Sequence, residues 1–184
     1  MELLNLNKGA VLNLTKTTPE LKKMMIGLGW DTRMDLDTIA YLADSKGVIK
    51  ETVYFGSKNH KGIYLNGDNL TGAGDGDDEC IFVDFSQLPP WVESVKVCVN
   101  IFLGGGLFGI GKKDFSCVKG AFIRLVNNEN NQEICRYNLT EDGKGFNGFH
   151  FADLNKQSDG TWNFVAIGEG VNGNVEKIRN KLSK

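Results

Sequence analysis

Short segments in which apolar and polar residues alternate, bounded by Gly, Asn or Asp, recur along this sequence. This pattern is found in residues 11–15, 80–85, 95–101, 121–126, 133–137 and 162–167, and two further strand-like segments are residues 39–42 and 48–55. Alternation with a period of two predicts strands that bury one face and expose the other, as in antiparallel sheets. Many short strands separated by turn residues are typical of sandwiches and barrels. The sequence therefore predicts an all-β fold, specifically an antiparallel β-sandwich of two sheets.

The C-terminal segment carries the clearest helical pattern. Val175, Ile178 and Leu182 lie at positions i, i+3 and i+7, which predicts a short amphipathic helix over residues 174–184. Ser45-Lys46-Gly47 separates two strand-like segments and predicts a hairpin turn. The chain contains no low-complexity linker, composition shift or useful repeat, so we predict one domain over residues 1–184.

Charge and cysteine usage narrow the class of protein. The formal net charge of −2 argues against a nucleic-acid-binding protein, which normally has a basic excess. No apolar run approaches the ~18 residues that cross a bilayer, so we expect no membrane span. The cysteines Cys80, Cys98, Cys117 and Cys135 include no close pair, which predicts buried thiols without a zinc site or disulfides. With no recognisable signal peptide, we expect a cytoplasmic protein.

Two acidic segments carry most of the chemical information. Residues 30–37 contain three aspartates, and residues 66–79 combine five acidic residues with several glycines and no basic residue. Glycines allow tight turns that direct backbone carbonyls towards a ligand. Carboxylate, amide and carbonyl oxygens without imidazole or thiolate are the donors preferred by Ca²⁺ and, with stricter geometry, Mg²⁺. The EF-hand pattern is absent. A solvated acidic loop is the alternative interpretation.

The same segments resemble the tellurium-resistance TerD family. The motif GDNLTGAGDGDDE at 67–79 resembles that family's signature, and GLGWD at 27–31 with DLD at 35–37 resembles its first acidic motif. The segments AFIRLVN at 121–127, EICRYNLTED at 133–142 and WNFVAIGEG at 162–170 are similar to further family motifs. The resemblance implies a β-sandwich that binds calcium, usually two ions, within a cytoplasmic stress-response assembly of several proteins.

The resemblance also implies a ligand set. The metal ligands it suggests are Asp31, Asp35, Asp37, Asp68, Asn69, Asp75, Asp77, Asp78 and Glu79, with Gly72 and Gly74 as carbonyl donors. It does not assign these ligands to individual ions.

A glycine-rich loop over residues 104–111 supports an alternative function. Gly104, Gly106 and Gly109 have the spacing of a dinucleotide-binding fingerprint, but no helical pattern follows them. Lys113 stands where a Walker A loop needs Ser or Thr. The alternative is thus a nucleotide- or cyclic-nucleotide-binding protein that uses this loop, and relatives of the family are reported to bind cyclic AMP.

The sequence offers little support for catalysis. His60 and His150 lie near no cysteine, serine or acidic pattern that would form a catalytic dyad, and no serine has a G-x-S-x-G context. The resemblance implies no established reaction. We therefore expect that the protein is not an enzyme.

Overall fold

The computed structural model describes residues 4–18, 21–31, 35–66, 77–101, 114–139 and 143–184. The strands are Leu4–Leu6 (β1), Val11–Asn13 (β2), Lys23–Gly29 (β3), Leu36–Ala43 (β4), Ile49–Val53 (β5), Asn59–His60 (β6), Ile63–Asn66 (β7), Glu79–Asp84 (β8), Ser94–Ile101 (β9), Phe122–Asn127 (β10), Gln132–Asn138 (β11), Gly148–Lys156 (β12) and Trp162–Val171 (β13). The helices are Leu14–Thr17 (α1), Val175–Leu182 (α2) and a 3-10 turn over Phe115–Cys117.

The strands form two sheets. Seven strands follow the order β1-β11-β10-β3-β8-β7-β6, and six follow β2-β13-β12-β9-β4-β5. β1 pairs with β11 in parallel, and the other strand pairs of the described residues are antiparallel. This arrangement confirms the predicted two-sheet, antiparallel-rich fold with a short C-terminal helix.

The main core lies between the sheets. Ile26 and Ile81 from the seven-stranded sheet and Val97, Phe151 and Phe164 from the six-stranded sheet are all at most 2% exposed. Burying a side chain of this size contributes roughly 1.5–3 kcal/mol. The alternating residues of the predicted strands supply this core.

A second, smaller core forms where α2 covers the outer face of the six-stranded sheet. Ile178 of α2 is fully buried in a cluster with Ile39, Tyr41 and Cys98. The Asn174 side chain caps the helix by accepting a hydrogen bond from the Lys177 N–H. Because α2 covers this face, β4 is buried along both sides, which the alternating pattern did not predict.

Several details differ from the predictions. The strand expected over 11–15 ends at Asn13, whose side chain caps α1 by accepting from the Lys16 N–H. The sequence patterns did not identify β3 or β12, because both strands are apolar on two faces or interrupted by glycine. The predicted 45–47 turn is present, with Gly47 at φ 80°. All four cysteines are unpaired as predicted, but only Cys98 and Cys135 are buried, whereas Cys80 is half-buried and Cys117 is exposed.

Within the described ranges, none of the helices has the length and apolar character needed to span a membrane.

Candidate metal centre

The described ends of the two acidic segments lie at one end of the sandwich. β3 runs into Asp31, and β8 starts at Glu79, which pairs with Leu28 near the end of β3. β4 of the other sheet begins just after Asp35 and contains Asp37. Strands from both sheets thus bring acidic residues that lie far apart in the sequence to the same end of the sandwich. We call this the acidic end.

Glu79 connects the two sheets. Its side chain belongs to the seven-stranded sheet, and its Oε2 accepts a hydrogen bond from the Thr38 N–H of β4 at 2.7 Å. The residue is only 2% exposed. A buried carboxylate requires such partners, because an unpaired charge in the interior is costly. Glu79 therefore fixes β4 and β8 relative to each other at the acidic end.

Asp78 attaches the second acidic segment to β3. Its Oδ2 accepts from the Trp30 N–H at 2.9 Å, while its own N–H donates to the Leu28 carbonyl at 2.8 Å. Trp30 is 4% exposed and belongs to the main core. Hydrogen bonds of both the side chain and the backbone of Asp78 thus fix the direction in which the chain enters β8.

Asp31 is exposed, and its position depends on Gly120. The Asp31 N–H donates to the Lys119 carbonyl at 2.7 Å, and its carboxylate lies against Gly120. Gly120 has φ 64°, a left-handed conformation that favours glycine, and a Cβ there would overlap the Asp31 carboxylate. A third chain segment, which leads into β10, therefore reaches the acidic end.

Asp37 lies beside Asn100, a residue outside both acidic segments. Asp37 pairs with Asn100 across β4 and β9, and the two are 5% and 6% exposed. Among the described residues, nothing donates a hydrogen bond to the buried Oδ1 of Asn100. The Thr38 Oγ1, also buried, has no hydrogen-bond partner there either. The one feature of the sequence that could have indicated Asn100 as a ligand is its amide side chain near the end of the apolar strand that precedes the glycine-rich loop.

Asp77 lies on the outer face of the seven-stranded sheet, the face that points away from the main core. Its Oδ1 accepts from Arg124 Nε and its Oδ2 from Arg124 Nη2, both at 2.8 Å. The Asp77 side chain is 7% exposed. Burial, followed by the nearby Asp77 carboxylate, raises the pKa of Cys80 to about 11, so this neighbouring thiol stays protonated at neutral pH. The described neighbours of the Asp77 carboxylate are therefore the Arg124 guanidinium and a neutral thiol.

The remaining predicted ligands are Asp68, Asn69, Gly72, Gly74 and Asp75, which lie outside the described residues, as does the glycine-rich loop 104–111. Within the described ranges, no three His, Cys, Asp or Glu side chains group closely enough to hold a metal ion. The donors present are nevertheless those that suit a hard cation: carboxylates and a buried amide oxygen that accepts no hydrogen bond from the part of the chain that the structure describes.

A separate polar pair lies on the outer face of the six-stranded sheet. His150 Nε2 is 2.6 Å from Asp153 Oδ1, so the expectation that His150 lies near no acidic partner is wrong. Residues three apart in a regular strand point to opposite faces, but a β-bulge between His150 and Ala152 brings both side chains to the same face. Burial raises the pKa of Asp153, but His150 and Lys96 outweigh burial and hold it below its usual range.

The fold consists of two packed β-sheets with described acidic residues from both sheets at one end. Solved structures with this fold include a TerD homologue from Streptomyces coelicolor A3(2), with a TM-score of 0.69 and 20% identity over 86% of this chain and 95% of that one. The TerD domain family model matches residues 2–182. The chain therefore belongs to the TerD family.

Curated relatives cover nearly the whole chain. "Tellurium resistance protein TerD" of Serratia marcescens is 34% identical over 95% of this chain and 94% of its own length. "General stress protein 16U" of Bacillus subtilis is 34% identical over the same shares of the two chains. The family resemblance found in the sequence motifs is confirmed.

Proposed function

We propose that this chain is a calcium-binding, non-catalytic module of a tellurite or general stress-resistance system. It would bind two Ca²⁺ ions at the acidic end and act through contacts with other proteins of a stress-response assembly. The names of its relatives, which refer to tellurium resistance and general stress, support the role in stress. Four unpaired cysteines support a reducing, cytoplasmic location.

The observation that carries this proposal is the buried Asn100 Oδ1 opposite Asp37, to which no described residue donates a hydrogen bond. Leaving a buried polar atom without a hydrogen bond costs about 1–3 kcal/mol, and such an atom needs an explanation. Asn100 lies near the end of β9, at the end of the sandwich that carries the described carboxylates, and Asp37 beside it on β4 is equally buried. A cation ligand is the role that an amide oxygen and a neighbouring carboxylate can share.

The residues that would hold calcium come from both sheets. The described ones are Asp31, Asp35, Asp37, Asp78, Glu79 and Asn100, and Asp68, Asn69, Gly72, Gly74 and Asp75 of the acidic loop would complete the set. Bound calcium would supply positive charge that offsets the repulsion among these carboxylates. Glu79 accepts a hydrogen bond from Thr38, and Asp78 accepts one from Trp30. These bonds would hold both carboxylates at the acidic end before calcium binds.

The absence of catalysis is part of the proposal. His150 is paired with Asp153, but its cross-strand neighbour Cys98 is fully buried. Burial, followed by the Asp153 charge, raises the pKa of Cys98 well above its usual range, so the thiol stays protonated. A buried neutral thiol is a poor nucleophile. The neutral state of Cys98 supports a structural role for the neighbouring His150–Asp153 pair.

Thermal unfolding of the wild type and Asn100→Leu, each in calcium and in EDTA, tests the proposal. A ligand at a hundredfold excess over its Kd stabilises the folded state by about 2.7 kcal/mol. For a domain of this size that corresponds to a rise in Tm of about 5–10 °C. We expect this rise in the wild type, and a much smaller one in Asn100→Leu, which lacks the amide oxygen.

A matched control comes from Asn163 on β13, whose buried Oδ1 also has no hydrogen-bond partner among the described residues. Asn163→Leu should keep the full calcium response, because Asn163 lies at the opposite end of the strands: it pairs with Asn155, which pairs with Ser94 at the start of β9. In EDTA, Asn100→Leu should be as stable as the wild type or more stable, since it removes an unsatisfied polar atom. Identical unfolding curves for the wild type in calcium and EDTA would refute the proposal.

A further inference from the structure

Arg124 uses all three of its guanidinium nitrogens on two carboxylates. Its Nε and Nη2 donate to the two oxygens of Asp77, and its Nη1 donates to Glu133 Oε2 at 2.9 Å. Two parallel N–H···O bonds to one carboxylate are the strongest and most directional arrangement that arginine makes. The Asp77 hydrogen bonds, followed by those to Glu133, raise the pKa of Arg124, so it stays charged.

The sheet provides a space for this ion pair. Gly27 of β3 is the cross-strand neighbour of both Arg124 on β10 and Cys80 on β8. The Asp77 carboxylate lies where a side chain at position 27 would be, and a Cβ there would overlap its carbon and both oxygens. The missing side chain of Gly27 therefore allows Asp77 to lie flat against the sheet beside Arg124.

Neighbouring residues hold Arg124 in place. Glu133 also accepts from Arg136 Nε at 2.9 Å, and the Arg136 guanidinium lies 4.3 Å from the centre of the Phe122 ring. Burial raises the pKa of Glu133, but the hydrogen bonds from Arg136 and Arg124 outweigh it and lower the pKa overall. Glu133 is thus ionised at neutral pH and fixes both arginines.

The ion pair lies immediately before the two residues that face the acidic end. Asp78 is hydrogen-bonded to Trp30 of the β3 end, and Glu79 reaches Thr38 on the other sheet. Asp77 therefore fixes the chain at the position directly before both residues.

We propose that Arg124 is a positioning residue of the calcium site, an inference that rests on the proposed function. It binds Asp77 on the outer face of the sheet, so that Asp78 and Glu79 are directed towards the ions. Asp77 itself then serves as an anchor rather than a ligand, which replaces the ligand role expected from the sequence.

The two roles for Asp77 predict opposite effects of removing Arg124. If Asp77 is a calcium ligand, Arg124 competes with the ion for its oxygens, and Arg124→Gln tightens calcium binding. If Asp77 is an anchor, Arg124→Gln weakens binding, because Asp78 and Glu79 lose their fixed orientation. Loss of an outer partner of this kind typically lowers metal affinity by about 10–100-fold.

Arg136→Gln is the matched control. It removes the same charge from the same face, but Arg136 contacts Glu133 and Phe122 rather than Asp77. Both substitutions change the long-range electrostatic field alike, so their difference reports the contact with Asp77. Arg124→Lys keeps the charge but loses the two parallel hydrogen bonds, and it replaces Arg124→Gln if the latter fails to fold.

Calorimetric titration of the full chain with calcium measures these affinities, and circular dichroism checks folding. We expect Arg124→Gln to bind calcium at least about tenfold more weakly than Arg136→Gln, with Arg124→Lys also weakened. Equal or tighter binding by Arg124→Gln would overturn the positioning role while leaving the proposed function intact. If the wild type binds no calcium, the proposed function fails, and the positioning role fails with it.

Discussion

Replacing Gly27 with alanine tests how tightly Asp77 is packed against the sheet. An alanine normally stabilises a strand relative to glycine by roughly 0.5–1 kcal/mol, because glycine loses more entropy on folding. Here the new methyl group would occupy the space of the Asp77 carboxyl group. We therefore expect the opposite sign, a loss of stability.

The size of this loss follows from the ion pair. Breaking a buried pair costs about 3–5 kcal/mol. The Arg124 side chain is 27% exposed and keeps Glu133 as a partner, so a smaller value applies. After the favourable contribution of alanine is subtracted, a net destabilisation of about 1–3 kcal/mol remains.

Urea unfolding in EDTA measures this loss without any contribution from calcium. The decisive comparison repeats Gly27→Ala in an Asp77→Ala background, where the obstructing carboxylate is absent. We expect the cost of Gly27→Ala to fall to near zero there, or to become a small gain. A cost that is the same in both backgrounds would show that the alanine clashes with something other than Asp77, and would refute the reasoning.

Two further predictions concern the opposite sheet. Because interactions with His150 and Lys96 hold the pKa of Asp153 below its usual range, its ionised form stabilises the fold at neutral pH, and this contribution is lost as the pH falls below about 4. Asp153→Asn should therefore lower the free energy of unfolding at pH 7, and its difference from the wild type should shrink in acid. Urea unfolding across pH measures this difference, and a difference that stays constant with pH would contradict the prediction. Ile178→Ala should destabilise the protein by about 2–5 kcal/mol, because this fully buried residue joins α2 to the sheet, whereas Lys181→Ala, on the exposed side of α2, should change the unfolding midpoint little.

The general architecture could be predicted because it depends on local patterns. Alternation in residues 95–101 and 133–137 matches β9 and β11, and the spacing of Val175, Ile178 and Leu182 matches α2. Strands that are buried on both faces or carry glycine lack alternation. β3, with Gly27 and Gly29, was therefore not recognised, although it lies within the seven-stranded sheet.

The contact between His150 and Asp153 could not be predicted for a different reason. It depends on a β-bulge, which shifts every later side chain of β12 to the other face. A single extra residue in the pairing leaves no mark in the composition of the segment. Asn100 shows a similar limit, because its unsatisfied oxygen becomes apparent only once β4 and β9 are paired.

The sequence alone determined that this chain is a β-rich member of the TerD family with carboxylates concentrated in two segments. Only the tertiary structure decided where three adjacent acids point. Asp77, Asp78 and Glu79 bind Arg124, Trp30 and Thr38, partners that are 47, 48 and 41 residues away in the chain. Consecutive residues at a strand end face different directions, and the partner found in each direction depends on which distant strands pack there.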